Sequence, residues 1–242
     1  MKDFIAGFKY ISQGFGLLLK PGIRVYVMIP MLINALVFAA VITFGAHLMN
    51  DFIDTTLTGW LEWLRWLLWP LFVIISLTIV FFCFSIVANL IAAPFNGFLA
   101  EAVEVHLTGI TLSDTGGLKQ LPSDIKKAFK SEFKKFTYFI VRAVPLLILF
   151  IIPFAQVGAP VFWFIFGAWM LALEYMDFPM GNHGMLFTEQ RRYLWEKRKL
   201  TFGFGIGAMI LTLIPVANFI AIPVIVCGAT KLWVEIFASG HR

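Results

Sequence analysis

The sequence predicts an all-α integral membrane protein with two full transmembrane helices, two hemi-penetrating helical hairpins and amphipathic interfacial helices. Three observations support this fold class. Hydrophobic residues make up 60% of the chain and charged residues only 14%, whereas soluble domains are about half apolar and about a quarter charged. The chain also contains long uncharged tracts, and prolines interrupt two of them. We therefore expect residues 1–242 to form a single membrane domain.

The first two uncharged tracts are long enough to cross a bilayer. Residues 25–48 form the first predicted transmembrane helix, which as an α-helix extends about 36 Å, compared with about 30 Å of hydrocarbon core. Residues 66–93 form the second. Tryptophans lie within and just after the short acidic segment between them, which is typical of the membrane interface. These tryptophans are Trp60, Trp63, Trp66 and Trp69.

Two polar segments show the spacing of amphipathic helices that lie on a membrane surface. Residues 1–24 begin with Phe4, Phe8 and Ile11 at helical spacing, which predicts an interfacial helix and not a cleavable leader. The polar segment 97–137 contains a second such helix, in which aromatic residues line one face and lysines occupy the others. That predicted face comprises Ile125, Phe129, Phe133 and Phe136.

Residues 138–173 and 202–232 are predicted to form helical hairpins, separated by the polar segment 174–201. Each hairpin tract carries interior prolines, which break a helix, namely Pro153 with Pro160 and Pro215 with Pro223. Each half is then only about 20 Å long, which is too short to cross a bilayer. Turns are expected at 154–159 and 216–222, inside the membrane, where surrounding protein or water must satisfy their backbone groups.

The distribution of basic residues predicts the orientation. Apart from Arg65, the lysines and arginines fall in segments that this topology places on one side, with Arg142 at a membrane edge. The positive-inside rule places that side, and both termini, in the cytoplasm. Six full crossings would fit the same charge distribution. The hairpins are therefore favoured only because each half of the two proline-containing tracts is too short to cross a bilayer.

The break at Pro21-Gly22, before the first transmembrane helix, suggests an anion site. The amides of Gly22, Ile23 and Arg24 are expected to point outward from a helix N-terminus, where the macrodipole favours an anion. Lys20 and Arg24 add positive charge, and an arginine fork suits a tetrahedral oxyanion. An ordinary juxtamembrane turn with snorkelling cations would explain the same residues.

Polar residues within or beside the apolar tracts are candidates for lining a pore. Such residues mark a pathway in some membrane proteins and hold helices together in others. The candidates are Asn34, Ser85, Asn89, Asn96, Glu101, Glu104 and Arg142. Glu174, Asp177 and His183 match no metal-ligand spacing, and we expect them to form an interfacial network.

An enzymatic function has no support in the sequence. Walker A, His-Glu-x-x-His and Gly-x-Ser-x-Gly motifs are absent, so we expect no catalytic residue, metal or cofactor. The net charge of +5 comes from basic residues beside the apolar tracts. This arrangement favours anionic lipid headgroups over nucleic acid as the partner.

Several stretches, in order along nearly the whole chain, resemble the CysZ family of bacterial sulfate permeases. The stretches are Gln13-Gly14, Pro21 to Arg24, Pro30, Ala88 to Glu101, Leu107 to Gly109, Phe166 to Ala172, Tyr175 to Asp177 with Asn182-His183, and Val226 to Thr230. The resemblance implies a permease for sulfate uptake across the inner membrane that supplies cysteine biosynthesis. It also implies two long helices, two hemi-penetrating hairpins and a homo-oligomer, reported as hexameric for the family.

The resemblance places sulfate binding at residues 16–24. The expected sulfate-binding residues are Gly16, Leu17, Leu18, Lys20, Gly22, Ile23 and Arg24. The family often has a second arginine after the first, where this chain has Val25, so more of the binding would depend on Arg24. Sulfite and thiosulfate stay open as further substrates, and a membrane assembly protein without transport activity is the alternative function.

Overall fold

The computed structural model describes residues 2–56, 59, 62–111 and 121–238, with backbone only at 79–94, 121–128, 215–216 and 218–219. Within these ranges the secondary structure is helical and contains no strand, which confirms the all-α prediction. The α-helices are α1 (Lys2–Leu18), α2 (Val25–Thr56), α3 (Leu64–Thr108), α4 (Leu121–Leu149), α5 (Ala159–Asn182), α6 (Phe187–Glu196), α7 (Arg198–Leu213) and α8 (Pro215–Leu232).

Among the described residues, three helical stretches are long and apolar enough to cross a membrane. They are Val25–Thr56, Ala159–Asn182 and Ile220–Phe237, and a shorter apolar stretch covers Leu64–Thr78. Their length and composition agree with an integral membrane protein. How deeply the predicted hairpins enter the bilayer stays a prediction.

The chain forms two compact units by its internal contacts. One contains Met1–Arg24 with Asn96–Arg242, and the other contains Val25–Phe95. In the smaller unit, Arg65 pairs with Asp54, and Trp69 contacts Phe72 edge-on at a ring distance of 5.6 Å. The single membrane domain expected from composition stays a prediction.

The first predicted hairpin contains a helix break between α4 and α5. After Leu149 the backbone leaves the α-helix, and Phe154 adopts a positive φ of 68°, a conformation that bulky residues rarely adopt. A single 3₁₀ turn at Ala155–Val157 follows, and Pro160 lies in the first turn of α5. Proline suits that position because the first helical amides have no intrahelical acceptor.

Helices α4 and α5 run antiparallel on either side of this break. The contacting pairs lie further apart in sequence as their distance from the break increases, which is the pattern of a hairpin. The pairs are Phe150–Trp163, with ring centres 6.5 Å apart, Phe139–Phe166 at 5.7 Å, and Tyr138–Trp169, joined by a 2.9 Å hydrogen bond.

The second predicted hairpin breaks at one residue, Ile214, whose backbone is extended with φ −84° and ψ 112°. Pro215 then begins α8. The predicted turn at 216–222 is wrong, because those residues are helical. Pro215 is tolerated in a first turn, where no intrahelical bond is lost, and Pro223 lies inside α8 without ending it.

Helix α1 packs against both α7 and α8 through contacts between backbones. A Cβ atom added at Gly7 would overlap the carbonyl oxygen of Leu200, and one added at Gly203 would overlap that of Phe4. Two turns further along α1, a Cβ at Gly14 would overlap the carbonyl oxygen of Val224. Small residues permit such close helix packing inside membranes.

A side-chain hydrogen bond adds to the contact between α1 and the C-terminal region. The Tyr10 hydroxyl donates to Glu235 Oε2 at 2.9 Å. Glu235 lies in a π-helical turn, Trp233–Phe237, that directly follows α8. Burial, reinforced by Glu235, raises the pKa of Tyr10, so the hydroxyl keeps its proton and remains a donor.

We expect Gly14→Ala to destabilise the protein, because the added methyl group would force α1 and α8 apart. Overpacking costs about 1–3 kcal/mol, which corresponds to a loss of roughly 2–4 °C in Tm per kcal/mol for a chain of this size. Thermal unfolding of the detergent-purified protein measures this loss. Gly16→Ala on the same helix is the matched control, because no atom lies within 4 Å of its added Cβ. Equal Tm values for the two variants would contradict the close backbone packing.

Candidate anion site and polar clusters

Residues 16–24, called here the 16–24 turn, comprise the end of α1 and the compact turn that leads from Leu18 to Val25, the first residue of α2. Leu17, Leu18 and Ile23 are buried, with Ile23 only 2% exposed, whereas Leu19, Lys20 and Arg24 are exposed. The Lys20 amide donates to the Leu17 carbonyl at 3.0 Å. Gly22 has a φ of 89°, which favours glycine at this position. The turn is therefore held by its apolar residues and presents its cations outward.

Two of the three amides that the sequence predicts to point outward differ from that expectation. Those of Ile23 and Arg24 donate to the Lys20 carbonyl, at 3.2 and 3.4 Å, and so are not free to point at an anion. The exposed ammonium of Lys20 and guanidinium of Arg24 remain available. Within the described residues, no carboxylate lies within 4.0 Å of either cation.

The predicted pore-lining residues have different environments. Asn34 in α2 is buried, and its Oδ1 atom has no hydrogen-bond partner in the described structure. Asn96 in α3 is buried and Glu101 is partly buried. Arg142 is exposed and stacks on a tyrosine ring in its own helix. The side chains of the remaining candidates, Ser85 and Asn89, lie outside the described residues.

Glu104, near the end of α3, pairs with His183, the residue that follows α5. The His183 Nε2 atom lies 2.9 and 3.0 Å from the two carboxylate oxygens, and Glu104 is only 6% exposed. The His183 ring lies 5.2 Å from that of Trp233 in the π-helical turn. Next to this pair, Asn182 Nδ2 donates to the Gly97 carbonyl at 3.0 Å. The cluster joins α3, α5 and the π-helical turn.

A second cluster is centred on Lys135 in α4. Its Nζ atom lies 2.7 Å from Glu174 Oε2 and 3.0 Å from Asp177 Oδ2, both in α5. Buried Gln190 in α6 donates to Asp177 Oδ1 at 2.6 Å. Burial disfavours the charged ammonium, but the two carboxylates outweigh burial and raise the pKa of Lys135. Glu174 and Asp177 therefore form an ionic network, whereas His183 belongs to the Glu104 cluster.

The Lys135 cluster is absent from the sequence-based prediction, which treats this segment as an amphipathic helix on the membrane surface with aromatic residues on one face and lysines on the others. In the described part of the helix the aromatic face is exposed, whereas Lys135 packs against α5. Phe129, Phe133 and Phe136 are 75%, 64% and 61% exposed. The face packed on α5 and α6 is polar, and Ser131 Oγ on that face accepts a 2.8 Å hydrogen bond from the Phe187 amide. Ser131, Lys135 and Tyr138 fall at helical spacing, which was the available signal.

Metal binding has no support in the described part of the chain, which contains no group of three or more histidine, cysteine, aspartate or glutamate side chains that could hold an ion. The buried indole Nε1–H of Trp233 has no acceptor there. The polar clusters are thus ion pairs and hydrogen-bonded contacts between helices.

A family model described as "Sulfate transporter CysZ/Etoposide-induced protein 2.4" matches residues 10–223. The match includes the turn at 16–24 as well as Glu104, Lys135 and His183. It ends within α8, before the π-helical turn. One family model therefore matches most of the chain, including the whole first hairpin and the second hairpin as far as residue 223.

We expect His183→Ala to destabilise the protein, because it leaves the buried Glu104 carboxylate without its partner. A buried charge that loses its partner costs roughly 3 kcal/mol, and thermal unfolding at neutral pH measures the loss. His183→Gln restores a hydrogen-bond donor and should recover part of it. His106→Ala, at an exposed position on the same helix as Glu104, is the control. If His183→Ala and His106→Ala have the same Tm, the pair of Glu104 and His183 does not stabilise the fold.

Proposed function

The chain belongs to the sulfate transporter CysZ/etoposide-induced protein 2.4 family, and on that premise we propose that it is a sulfate permease of the bacterial inner membrane. In this proposal it conducts sulfate into the cell, where the sulfate supplies cysteine biosynthesis, and it carries out no enzymatic reaction. The family match over residues 10–223 is the observation that carries the proposal.

The proposed sulfate-binding segment is the turn at 16–24. Lys20 and Arg24 are exposed there and, in the described structure, have no competing carboxylate. The planar guanidinium of Arg24 can donate two parallel hydrogen bonds to a tetrahedral oxyanion. Gly16 adds a position without a side chain, where an anion could approach the backbone. Leu17, Leu18 and Ile23 support the site by anchoring the turn.

The proposed route continues along polar residues of the long helices, namely Asn34, Ser85, Asn89, Asn96 and Glu101. Neutral amides suit a dianion, because they donate hydrogen bonds without binding it too tightly to leave. A free carboxylate would repel sulfate, so Glu101 is the unfavourable position on this route. The neighbouring Glu104 is paired with His183 at 2.9 Å, and this contact offsets the repulsion from that second carboxylate.

We further propose that both hairpins enter the membrane without crossing it. The Lys135–Glu174 ion pair marks where the first hairpin meets water, and helix α5 from Ala159 to Glu174 extends only about 23 Å. The residues at the tip are apolar and strongly exposed, with Ile151, Phe154 and Val157 at 80%, 93% and 81%. Such a tip is suited to hydrocarbon and not to water on the far side.

A homo-oligomer is part of the same proposal. Backbone groups at the hairpin breaks need polar partners at membrane depth, and neighbouring copies of the chain could supply them or enclose water that does. The family resemblance suggests a hexamer. Sulfite and thiosulfate share the oxyanion chemistry of the site and belong to the proposed substrate range.

Sulfate flux into liposomes that contain the purified protein tests the proposed function. Wild-type protein should give saturable uptake, and Arg24→Ala should lower the initial rate by about tenfold or more, because a charge-assisted hydrogen bond contributes roughly 1.5–3 kcal/mol. Lys9→Ala is the matched control, since Lys9 is also an exposed cation but lies within α1, away from the turn.

Either of two results would contradict the proposal. Wild-type flux no greater than that of empty liposomes, from protein shown to be folded and inserted, would favour a membrane assembly protein without transport activity. Equal flux from Arg24→Ala and Lys9→Ala would remove sulfate binding from the 16–24 turn.

Cysteine accessibility tests the hairpin depth. In a variant with Cys83 and Cys227 replaced by alanine, a cysteine introduced at Phe154 should resist a membrane-impermeant maleimide added to either side. Cysteines introduced at Lys199 and Glu62, which the orientation prediction places on opposite sides, are the positive controls. Labelling at position 154 from the Glu62 side would show that the hairpin crosses the membrane completely.

A further inference from the structure

Two arginines from different helices lie beside one tyrosine ring. The guanidinium carbon of Arg142, in α4, is 3.9 Å from the centre of the Tyr138 ring. That of Arg191, in α6, is 5.1 Å from the same centre. The Tyr138 hydroxyl accepts a 2.9 Å hydrogen bond from Trp169 Nε1 in α5, so the ring is held in place. Three helices thus place two guanidinium groups around one fixed tyrosine ring.

These two charges have no acidic partner in the part of the chain that the structure describes. No carboxylate there lies within 4.0 Å of either guanidinium. Two carboxylates of α5, Glu174 and Asp177, are occupied by Lys135. A tyrosine ring offsets only part of the repulsion between two cations. The arrangement therefore favours an anion that both guanidinium groups can bind.

The aromatic surroundings continue beyond the pair. Trp195, 53% exposed, meets Trp169 edge-on at a ring distance of 5.4 Å. The guanidinium carbon of Arg198 lies 5.5 Å from the Trp195 ring. Tryptophan and tyrosine concentrate at the headgroup level of membranes, where one part of the ring contacts acyl chains and another contacts water.

The surface of α4 between Arg142 and the hairpin tip is apolar. Val141, Val144 and Ile148 are 61%, 47% and 49% exposed. No acidic or basic residue occurs on the chain from Val144 to Leu173. A ligand whose charged group binds the arginines would thus find an apolar surface for a hydrocarbon chain along the same helix.

We propose that Tyr138, Arg142 and Arg191 form a binding site for the phosphate of an anionic phospholipid headgroup. The guanidinium groups bind phosphate oxygens through charge-assisted hydrogen bonds, and one acyl chain lies along Val141, Val144 and Ile148. A free phosphate or sulfate ion shares the oxyanion chemistry, but only a lipid also uses the apolar surface. The site gives Arg142 a role in lipid binding and not in lining a pore.

Native mass spectrometry of the full-length, detergent-purified protein tests the site without sulfate, and so independently of the transport proposal. The wild type should retain phosphatidylglycerol in preference to phosphatidylcholine. The double variant Arg142→Gln/Arg191→Gln should bind phosphatidylglycerol about tenfold more weakly or worse, since two charge-assisted contacts are lost. Arg192→Gln is the matched control, because Arg192 lies next in α6 but faces the Tyr193 ring.

Circular dichroism and thermal unfolding check that the variants are folded. If the double variant fails to fold, Arg191→Lys provides the test: it keeps the charge but loses the planar fork, and should weaken binding severalfold. Phosphatidylglycerol affinities equal to that of the control would overturn the site. Displacement of the lipid by millimolar inorganic phosphate or sulfate would assign the arginines to a free anion and overturn the lipid assignment.

Discussion

The contact between the backbone of α1 and the backbones of α7 and α8 is the constraint on which the larger compact unit depends. Gly7, Gly14 and Gly203 remove the side chains that would keep these helices apart. Inside a membrane, helices gain little from hiding apolar surface, so close van der Waals contact and small residues dominate their association. Because the 16–24 turn continues from the end of α1, the same contact determines where Lys20 and Arg24 lie relative to the C-terminal hairpin.

Polar side chains join the remaining elements of this unit to one another. Lys135 connects α4 to two carboxylates of α5, and His183 connects the end of α5 to Glu104 of α3. These contacts place the polar face of α4 inward and its phenylalanines outward, the opposite of a soluble amphipathic helix. The reversal is physically reasonable where lipid surrounds the protein, because an exposed phenylalanine costs nothing in hydrocarbon whereas an unpaired buried charge costs several kcal/mol.

The distribution of unpaired cations links structure to function. Within the described residues the carboxylates of the polar clusters are occupied, by Lys135 and by His183. The exposed cations of the 16–24 turn and the arginines around Tyr138 have no such partner there. One group lies in a compact turn, and the other lies beside an exposed apolar helix face. We assign them to different anions, a small oxyanion and a lipid headgroup.

The sequence by itself determined the membrane class, the break near Pro153 and the family resemblance, because composition, span length and proline chemistry are local properties. It misplaced the second break, because the sequence alone cannot distinguish prolines that flank a turn from Pro215 in a first helical turn and Pro223 inside a packed helix. Only the tertiary structure decided which polar residues pair. Lys135 meets Asp177 across 42 positions and His183 meets Glu104 across 79, and helical periodicity carries no information over such separations. It also revealed which face of α4 is packed, because in a membrane both an apolar and a polar face can be the buried one.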